Sequence, residues 1–391
     1  MATIAVPPAL FDDAVAVRRD IHRHPELGFY EVRTAAIVER RLRALGLDVH
    51  PGIATTGVIG VLRGARPGRT IMLRADMDAL PMPEENDVSY ASSVDGVTHA
   101  CGHDGHVAIL LAAAALVAER RDELAGTIVF CFQPAEEGGG GARVMIEEGV
   151  IERFGVQRAY GLHLTSQIPT GIAALRPGPF MASSDEVDIT IHGRGGHASL
   201  PHASVDPLFT AANVVVGLNH VVSRHVDPIE PAVLSICSLH SGTTHNVIPS
   251  TATVRGTVRT FNDALRGTIE QRIERVVSGA CHATGAEFEL VYRRGFPVTS
   301  NDVDQAAYVR SLAERELGEG RVVTSPQVMG SEDFSYFAQR VPACFFFLGS
   351  RGDERTGYPN HHGRFDIDET ALATGIEMMA ALALDAPRSA P

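Results

Sequence analysis

Apolar residues recur along this chain at two spacings. From Leu10 to Leu27 they return every three or four positions, the period of an amphipathic helix, and the pattern stops at His24-Pro25-Glu26. Thr34–Leu45 repeats that period up to Gly46, and Val107–Val117 is a run of almost unbroken apolar helix formers. Short apolar stretches at Gly57–Arg63, Thr70–Arg74, Gly126–Phe132, Ala159–Leu164 and Ala343–Leu348 read as strands. Helices are expected at Ala142–Glu148, Gln305–Leu317 and Thr370–Leu384. The order of strands and helices predicts an α/β domain.

The pattern changes near Met181. Glu186–His192 alternates strictly, Pro207–His225 is a long helix, and Ala232–Leu239 and Ala252–Thr260 are strand-like. A helix over Leu265–His282 and a strand over Glu287–Tyr292 complete a strand-helix-strand-strand-helix-strand block, the split βαβ order of a small ferredoxin-like α+β domain. Helix-strand alternation resumes afterwards, so residues 181–295 read as an insertion into a domain built from 1–180 and 296–391.

Composition narrows what this frame can do. At 391 residues the chain exceeds one ordinary core. A net charge of −13 argues against nucleic acid or an anionic membrane as partner. No apolar run reaches the ~18 residues of a membrane span, and Met1–Leu10 lacks the basic and apolar regions of a secretory leader. The 5 cysteines, odd in number and widely spaced, do not form a disulfide framework, and the expected location is cytoplasmic. All 34 basic residues are arginine, which excludes lysine-dependent chemistry: Schiff bases, pyridoxal anchoring and P-loop phosphate binding.

The remaining chemistry concentrates in a few stretches. Thr98–His106 (Thr-His-Ala-Cys-Gly-His-Asp-Gly-His) packs a thiol, three imidazoles and a carboxylate ahead of the apolar helix. Cys101 and His103 can converge on one point from a turning loop, and thiolate with imidazole suits zinc-like ions. The plainer alternative is a polar helix start, with Asp104 favoured by the helix dipole. Asp76 and Asp78 follow a strand end, where open α/β sheets place ligands. Glu136 and Glu137 follow another; a buried acidic pair there needs a cation or a proton, whereas a solvated turn needs neither. His163 sits among apolar neighbours, as core histidines also do. His197, in Gly195-Gly196-His197-Ala198, reads by itself as a surface-loop histidine.

Taken together, the motifs resemble the hippurate hydrolase and N-acyl-amino-acid amidohydrolase group, the cysteine-ligand branch of the aminoacylase/carboxypeptidase di-metal peptidase family. They are Arg23-His24-Pro25-Glu26-Leu27, Arg74–Pro81, His99–His106, Gln133-Pro134-Ala135-Glu136-Glu137, Gly161-Leu162-His163, Gly195–Ala198, His245–Pro249, Gly330–Phe334 and His361-His362 ahead of Phe365. The resemblance implies a di-zinc-peptidase-like catalytic domain, a mixed sheet flanked by helices, with the insertion serving as lid and dimerisation domain. It implies two divalent ions (Zn, Mn, Co or Ni) held by Cys101, His103, Glu137, His163 and His361, with His362 as the fallback and Cys101 bridging. Most relatives outside this branch carry His-x-Asp where this chain has Asp76-Met77-Asp78, so both aspartates are expected to support ligands rather than bind metal. Gly363, and Leu164-Thr165-Ser166 after His163, depart from the family pattern.

The implied reaction is hydrolysis of the amide of a small N-acyl amino acid by metal-activated water. Glu136 shuttles the proton, and His197, from the partner subunit of a homodimer or higher homo-oligomer, supports the oxyanion with Asn246. Alternatives are a dipeptidase or carboxypeptidase, an N-acetyl-diaminopimelate-type deacetylase, a thiol hydrolase with Cys101 as nucleophile, and a non-catalytic binding relative. The identity of the acyl group is not legible in the sequence.

Overall fold

The computed structural model describes residues 4–388. Met1–Thr3 of the stretch read above for a leader, and residues 389–391 at the end of the first domain's range, lie outside them. The described chain divides into two compact units: one holds everything up to Phe180 with Ser300–Pro326 and the chain from Asp333 on, the other Met181–Thr299 and Gln327–Glu332.

The first unit is built on an 8-stranded mixed sheet. Its strands lie in the order Asp48–Ile53, Gly57–Arg63, Ala125–Gln133, Arg66–Asp76, Arg158–Pro169, Ala343–Arg351, Ala173–Leu175, Val322–Thr324. The central four, from Ala125–Gln133 to Ala343–Arg351, run parallel. Their carboxyl ends therefore open on one side, the side where such sheets bind ligands. Being buried on both faces, these strands are nearly continuous in apolar residues, as in Ile128–Phe132 and Ala343–Phe346.

Helix His103–Glu119 is apolar on every side because every side is covered. It packs on helices Pro8–Arg23 and Thr370–Asp385 and on the sheet, and Val107, Ile109, Leu110 and Val117 are fully enclosed. Each such side chain contributes about 1.5–3 kcal/mol of burial. The helix starts earlier than its apolar run suggests: His103, Asp104 and His106 form its first turn rather than the loop before it. Likewise the strand read as Thr70–Arg74 continues to Asp76, so that carboxylate sits on the strand and not past it.

The second unit is a 4-stranded antiparallel sheet ordered Ala232–Ser241, Thr251–Thr260, Asp185–His192, Glu287–Arg294. Helices Pro207–His225 and Asp263–Thr284 complete the ferredoxin-like order. Strict alternation puts Val187, Ile189 and Ile191 into its core, against Val214, Leu218, Ile273 and Val277 from the helices. Both helices open on side-chain caps, Asp206 and Asn262. Gln327–Glu332, read from sequence into the first domain, belongs to this unit, since Ala182 N donates to Val328 O and Gly330 O. Among the described residues no helix is long and apolar enough to cross a membrane.

Glu26 of the His24-Pro25-Glu26 motif has a local task. Its carboxylate accepts the backbone N–H of Arg33 (2.9 Å) and of Thr34 (2.8 Å) at the start of helix Val32–Ala44, an end that lacks a side-chain cap of its own. Glu26→Ala is expected to lower the unfolding free energy by about 1–2 kcal/mol in a urea titration.

Candidate metal centre

The three imidazoles of Thr98–His106 have three different environments. His103 turns Nδ1 to the backbone oxygen of Asp78 (2.9 Å), leaving Nε2 buried with no hydrogen-bond partner. His106 is satisfied at both ends: Nδ1 meets Asp76 Oδ1 at 2.5 Å, and Nε2 accepts the N–H of Leu164 at 2.8 Å. His99 is buried, with neither nitrogen partnered, and burial pushes its pKa down to about 4. Of the three, His103 alone offers an outward lone pair beside Cys101.

Gly102 makes that convergence local. It caps the helix with φ +88°, a left-handed conformation that costs glycine little, and reverses the chain between Cys101 and His103. His163 arrives from the parallel strand Arg158–Pro169; its Nδ1 engages Leu164 O at 2.7 Å and its Nε2 lies 3.4 Å from Cys101 Sγ. Cys101, His103 and His163 thus bring three donor atoms within 4.8 Å of one another.

A second group shares the same sulfur: Cys101, Glu137 and His361, also within 4.8 Å. His361 Nε2 stands 3.1 Å from Glu137 Oε1, and His103 Nε2 stands 4.0 Å from that oxygen. Ligands about 2.0–2.3 Å from a tetrahedral zinc-sized ion lie about 3.3–3.8 Å apart; the 3.4 Å between Cys101 Sγ and His163 Nε2 falls in that range, and the 3.1 and 4.0 Å to Glu137 Oε1 lie just either side of it. The donor chemistry fits as well, since sulfur, imidazole and carboxylate are zinc's preferred set. So do the buried atoms without a hydrogen bond, His103 Nε2 and Glu137 Oε1. His362, by contrast, stacks on Tyr358 at 4.9 Å and accepts the N–H of Arg364 at its Nδ1.

His361 holds a left-handed φ of +67°, rare for a non-glycine residue and a strain of about 1–3 kcal/mol. Its N–H donates to Ala100 O at 2.7 Å, which ties it to the Cys101 turn. Ala135, just before the glutamates, also has a positive φ of +53°. Its N–H donates to the buried Glu31 carboxylate (2.8 Å), and Gly28 leaves room for it, since a Cβ there would fall 2.9 Å from the Ala135 methyl. Glu136, buried, is reached by the N–H of Asp333 at 3.4 Å. Its carboxylate also joins His103 and Glu137 in a third group within 4.8 Å.

The electrostatics are those of a site arranged for a cation. Burial resists a charge on His103, but Asp76 and Cys101 outweigh it and hold its pKa well above the usual value. Cys101 and Glu137 push His361 up to about 10. Burial and the neighbouring His106 keep His163 neutral, the form that binds metal. Glu137 stays below the ordinary range despite its burial, held there by His361 and His103.

Several supporting residues escaped the reading of the sequence. Asn360 Nδ2 donates to Cys101 O and to Leu164 O, both at 3.2 Å, joining two segments that bring donors. Asp333 accepts from Arg74 (2.9 Å), Gln133 (2.8 Å) and the N–H of Ala142 (2.9 Å), and Arg74 is paired on its other side with Asp76 at 2.5 Å. Arg74, Gln133 and Asp333 stand inside motifs quoted above, whereas Asn360 lies outside all of them. In the other unit, His197 pairs with Val247 across a two-stranded ribbon, and Asn246 O accepts the N–H of Ala198 at 3.1 Å. The two side chains are exposed there, His197 with Nδ1 engaged by the Ser199 hydroxyl at 2.8 Å.

A donor cluster at the open ends of a parallel sheet, enclosed except for the exposed His361 at its rim, defines a metallohydrolase-type centre. Residues 72–385 match the model of peptidase family M20/M25/M40, and the chain belongs to that family of hydrolases. It is 41% identical to thermostable carboxypeptidase 2 of Saccharolobus solfataricus over 378 residues, 95% of each chain. It is 39% identical to an N-acetylcysteine deacetylase of Bacillus subtilis over 373 residues, covering 95% of this chain and 96% of the relative. The solved structure of the Bacillus subtilis YXEP protein, described as a dinuclear metal binding peptidase of the M20 family, superposes with a TM-score of 0.85 at 35% identity over 98% of this chain and 100% of that one.

Asp78 links the two halves of the donor set, because its Oδ2 accepts the N–H of Glu137 (2.9 Å) while its Oδ1 lies 3.3 Å from His103 Nδ1. Asp78→Ala is expected to weaken zinc affinity about 10–100-fold, read by competition with a chromophoric chelator.

Proposed function

We propose that this chain is a two-metal amidohydrolase that releases an amino acid from an N-acyl conjugate. The observation that carries the reading is the pair of donor groups sharing one sulfur, Cys101 with His103 and His163, and Cys101 with Glu137 and His361. Two divalent cations held by these residues would polarise a carbonyl and lower the pKa of water from about 15.7 towards about 7. The remaining steps fall to side chains. Glu136 takes the proton of the attacking water and passes it to the departing amine nitrogen, which otherwise could not leave. His197 and Asn246 are assigned to the oxyanion, supplied by the partner subunit of a homodimer.

The likeness to an N-acetylcysteine deacetylase supports the N-acyl class. The likeness to a carboxypeptidase supports the second reading, cleavage of a peptide amide at the same centre. Both break a C–N bond with the same groups and differ in what lies on the acyl side. A Cys101 thiol nucleophile is disfavoured, because burial and the nearby Glu137 push that thiol's pKa up, away from the reactive thiolate.

Glu136→Ala is expected to keep its full metal content by mass spectrometry and to lose about 10²–10⁴-fold in kcat. Near-normal turnover would refute its role. Cys101→Ala is expected instead to come up short of metal, and full occupancy would refute its assignment as a ligand. A panel of acetyl, benzoyl and long-chain acyl amino acids with matched dipeptides, assayed on metal-loaded enzyme, separates the two substrate readings. Turnover that survives complete chelation would favour the thiol route and overturn the metal one.

A further inference from the structure

Behind the Cys101 turn, away from the donor atoms, lies a second buried cluster of charges. Its centre is Arg18 on helix Pro8–Arg23, whose side chain is 0% exposed. Nε donates to Asp104 Oδ2 at 2.7 Å, and Asp104 is the residue after His103. One terminal nitrogen donates to Asp366 Oδ1 at 2.7 Å, and the other reaches Glu369 at 3.3 Å. Asp366 closes the short segment that begins at His361 and contains the left-handed kink. His22 adds to the Asp104 side, its Nδ1 lying 2.8 Å from Oδ2.

One planar guanidinium therefore spans two segments far apart in sequence, each carrying donors of the proposed centre. We propose that Arg18 is a positioning residue, setting the separation between the Cys101–His103 turn and the His361 segment and hence the affinity for metal. The inference rests on the metal reading above. Simple adhesion between these segments would not require a charge, since apolar side chains of similar volume often serve as well as a buried ion pair, or better. A rigid fork with fixed donor directions does what an apolar contact cannot: it fixes the distance and angle between two carboxylates. Asp104 adjoins a donor residue, and Asp366 lies five positions from another.

The test is a cobalt(II) titration of the full chain, stripped of metal by chelator, followed by the thiolate-to-cobalt absorption in the near ultraviolet. Urea unfolding of the same stripped samples is measured alongside. Two variants are compared with the parent chain. Arg18→Lys keeps the charge but loses the fork. Arg18→Met with Asp366→Asn removes one charge of each sign, so that the unpaired-carboxylate penalty is reduced. The expected result is a parent that binds cobalt with a thiolate band, and two folded variants that bind it about 10–100-fold more weakly with a diminished band. The double variant, which still buries Asp104 beside His22, is expected to unfold at lower urea than the parent yet to be folded in its absence. Parent-like affinity and spectrum in both variants would overturn the proposal. So would failure of both to fold, which would make Arg18 a folding residue. A parent that binds no cobalt defeats the metal reading itself, an outcome visible before any variant is examined.

Discussion

Everything at this centre depends on the unfavourable free energy of gathering lone pairs away from water. A sulfur, three imidazole nitrogens and two carboxylates are brought within 4.8 Å of one another in overlapping groups, all of them enclosed except the half-exposed His361, and two of these atoms, His103 Nε2 and Glu137 Oε1, have no hydrogen bond. Desolvated donors of one polarity do not stay together unless something positive stands between them. In the metal-free chain protons take that place, which is why His103 and His361 hold theirs so firmly. A divalent ion supplies the same charge in less space and with fixed bond lengths.

The fold provides the counterforce through neighbouring networks rather than through the donors themselves. Parallel strands end side by side, so Asp76, the Glu136-Glu137 turn and His163 need no long loops to meet. Beneath them Arg74 is shared between Asp76 and Asp333, and behind them Arg18 is shared between Asp104 and Asp366. Both guanidiniums are enclosed, and each is matched by carboxylates on two sides. With lysine missing from the chain, every buried cation of this kind is a planar fork, the geometry suited to joining two acids at once. Local strain at Ala135 and His361 is tolerated because the N–H of each is held, by the Glu31 carboxylate and by Ala100 O respectively.

Membership of the M20 family fixes the chemistry more tightly than the substrate. Relatives of nearly equal likeness are described as a carboxypeptidase and as an N-acetylcysteine deacetylase. A centre that activates water and stabilises a tetrahedral carbon treats any accessible amide alike, so selection among acyl groups falls to side chains that never touch the metals.

The sequence by itself determined the parts of the protein that follow from short-range periodicity and from chemical type. Helix Pro207–His225 begins and ends where its pattern and the Asp206-Pro207 start require, and the alternation of Glu186–His192 reports a strand with one buried face. Cysteine, histidine and glutamate at strand and helix ends marked the donor types. What periodicity could not show was pairing across distance. The strand Asp48–Ile53 contains Pro51 and Gly52 and pairs with a single neighbour at the sheet edge, and the three-residue strands Ala173–Leu175 and Val322–Thr324 exist only because a sheet edge is there to receive them. Similarly, nothing in Thr98–His106 distinguishes three histidines that tertiary structure separates into a donor, a hydrogen-bonded support and a neutral core residue. A side chain's type limits what it can bind, but which of its atoms remains unpaired is decided by partners from remote segments, and those meet only in the folded chain.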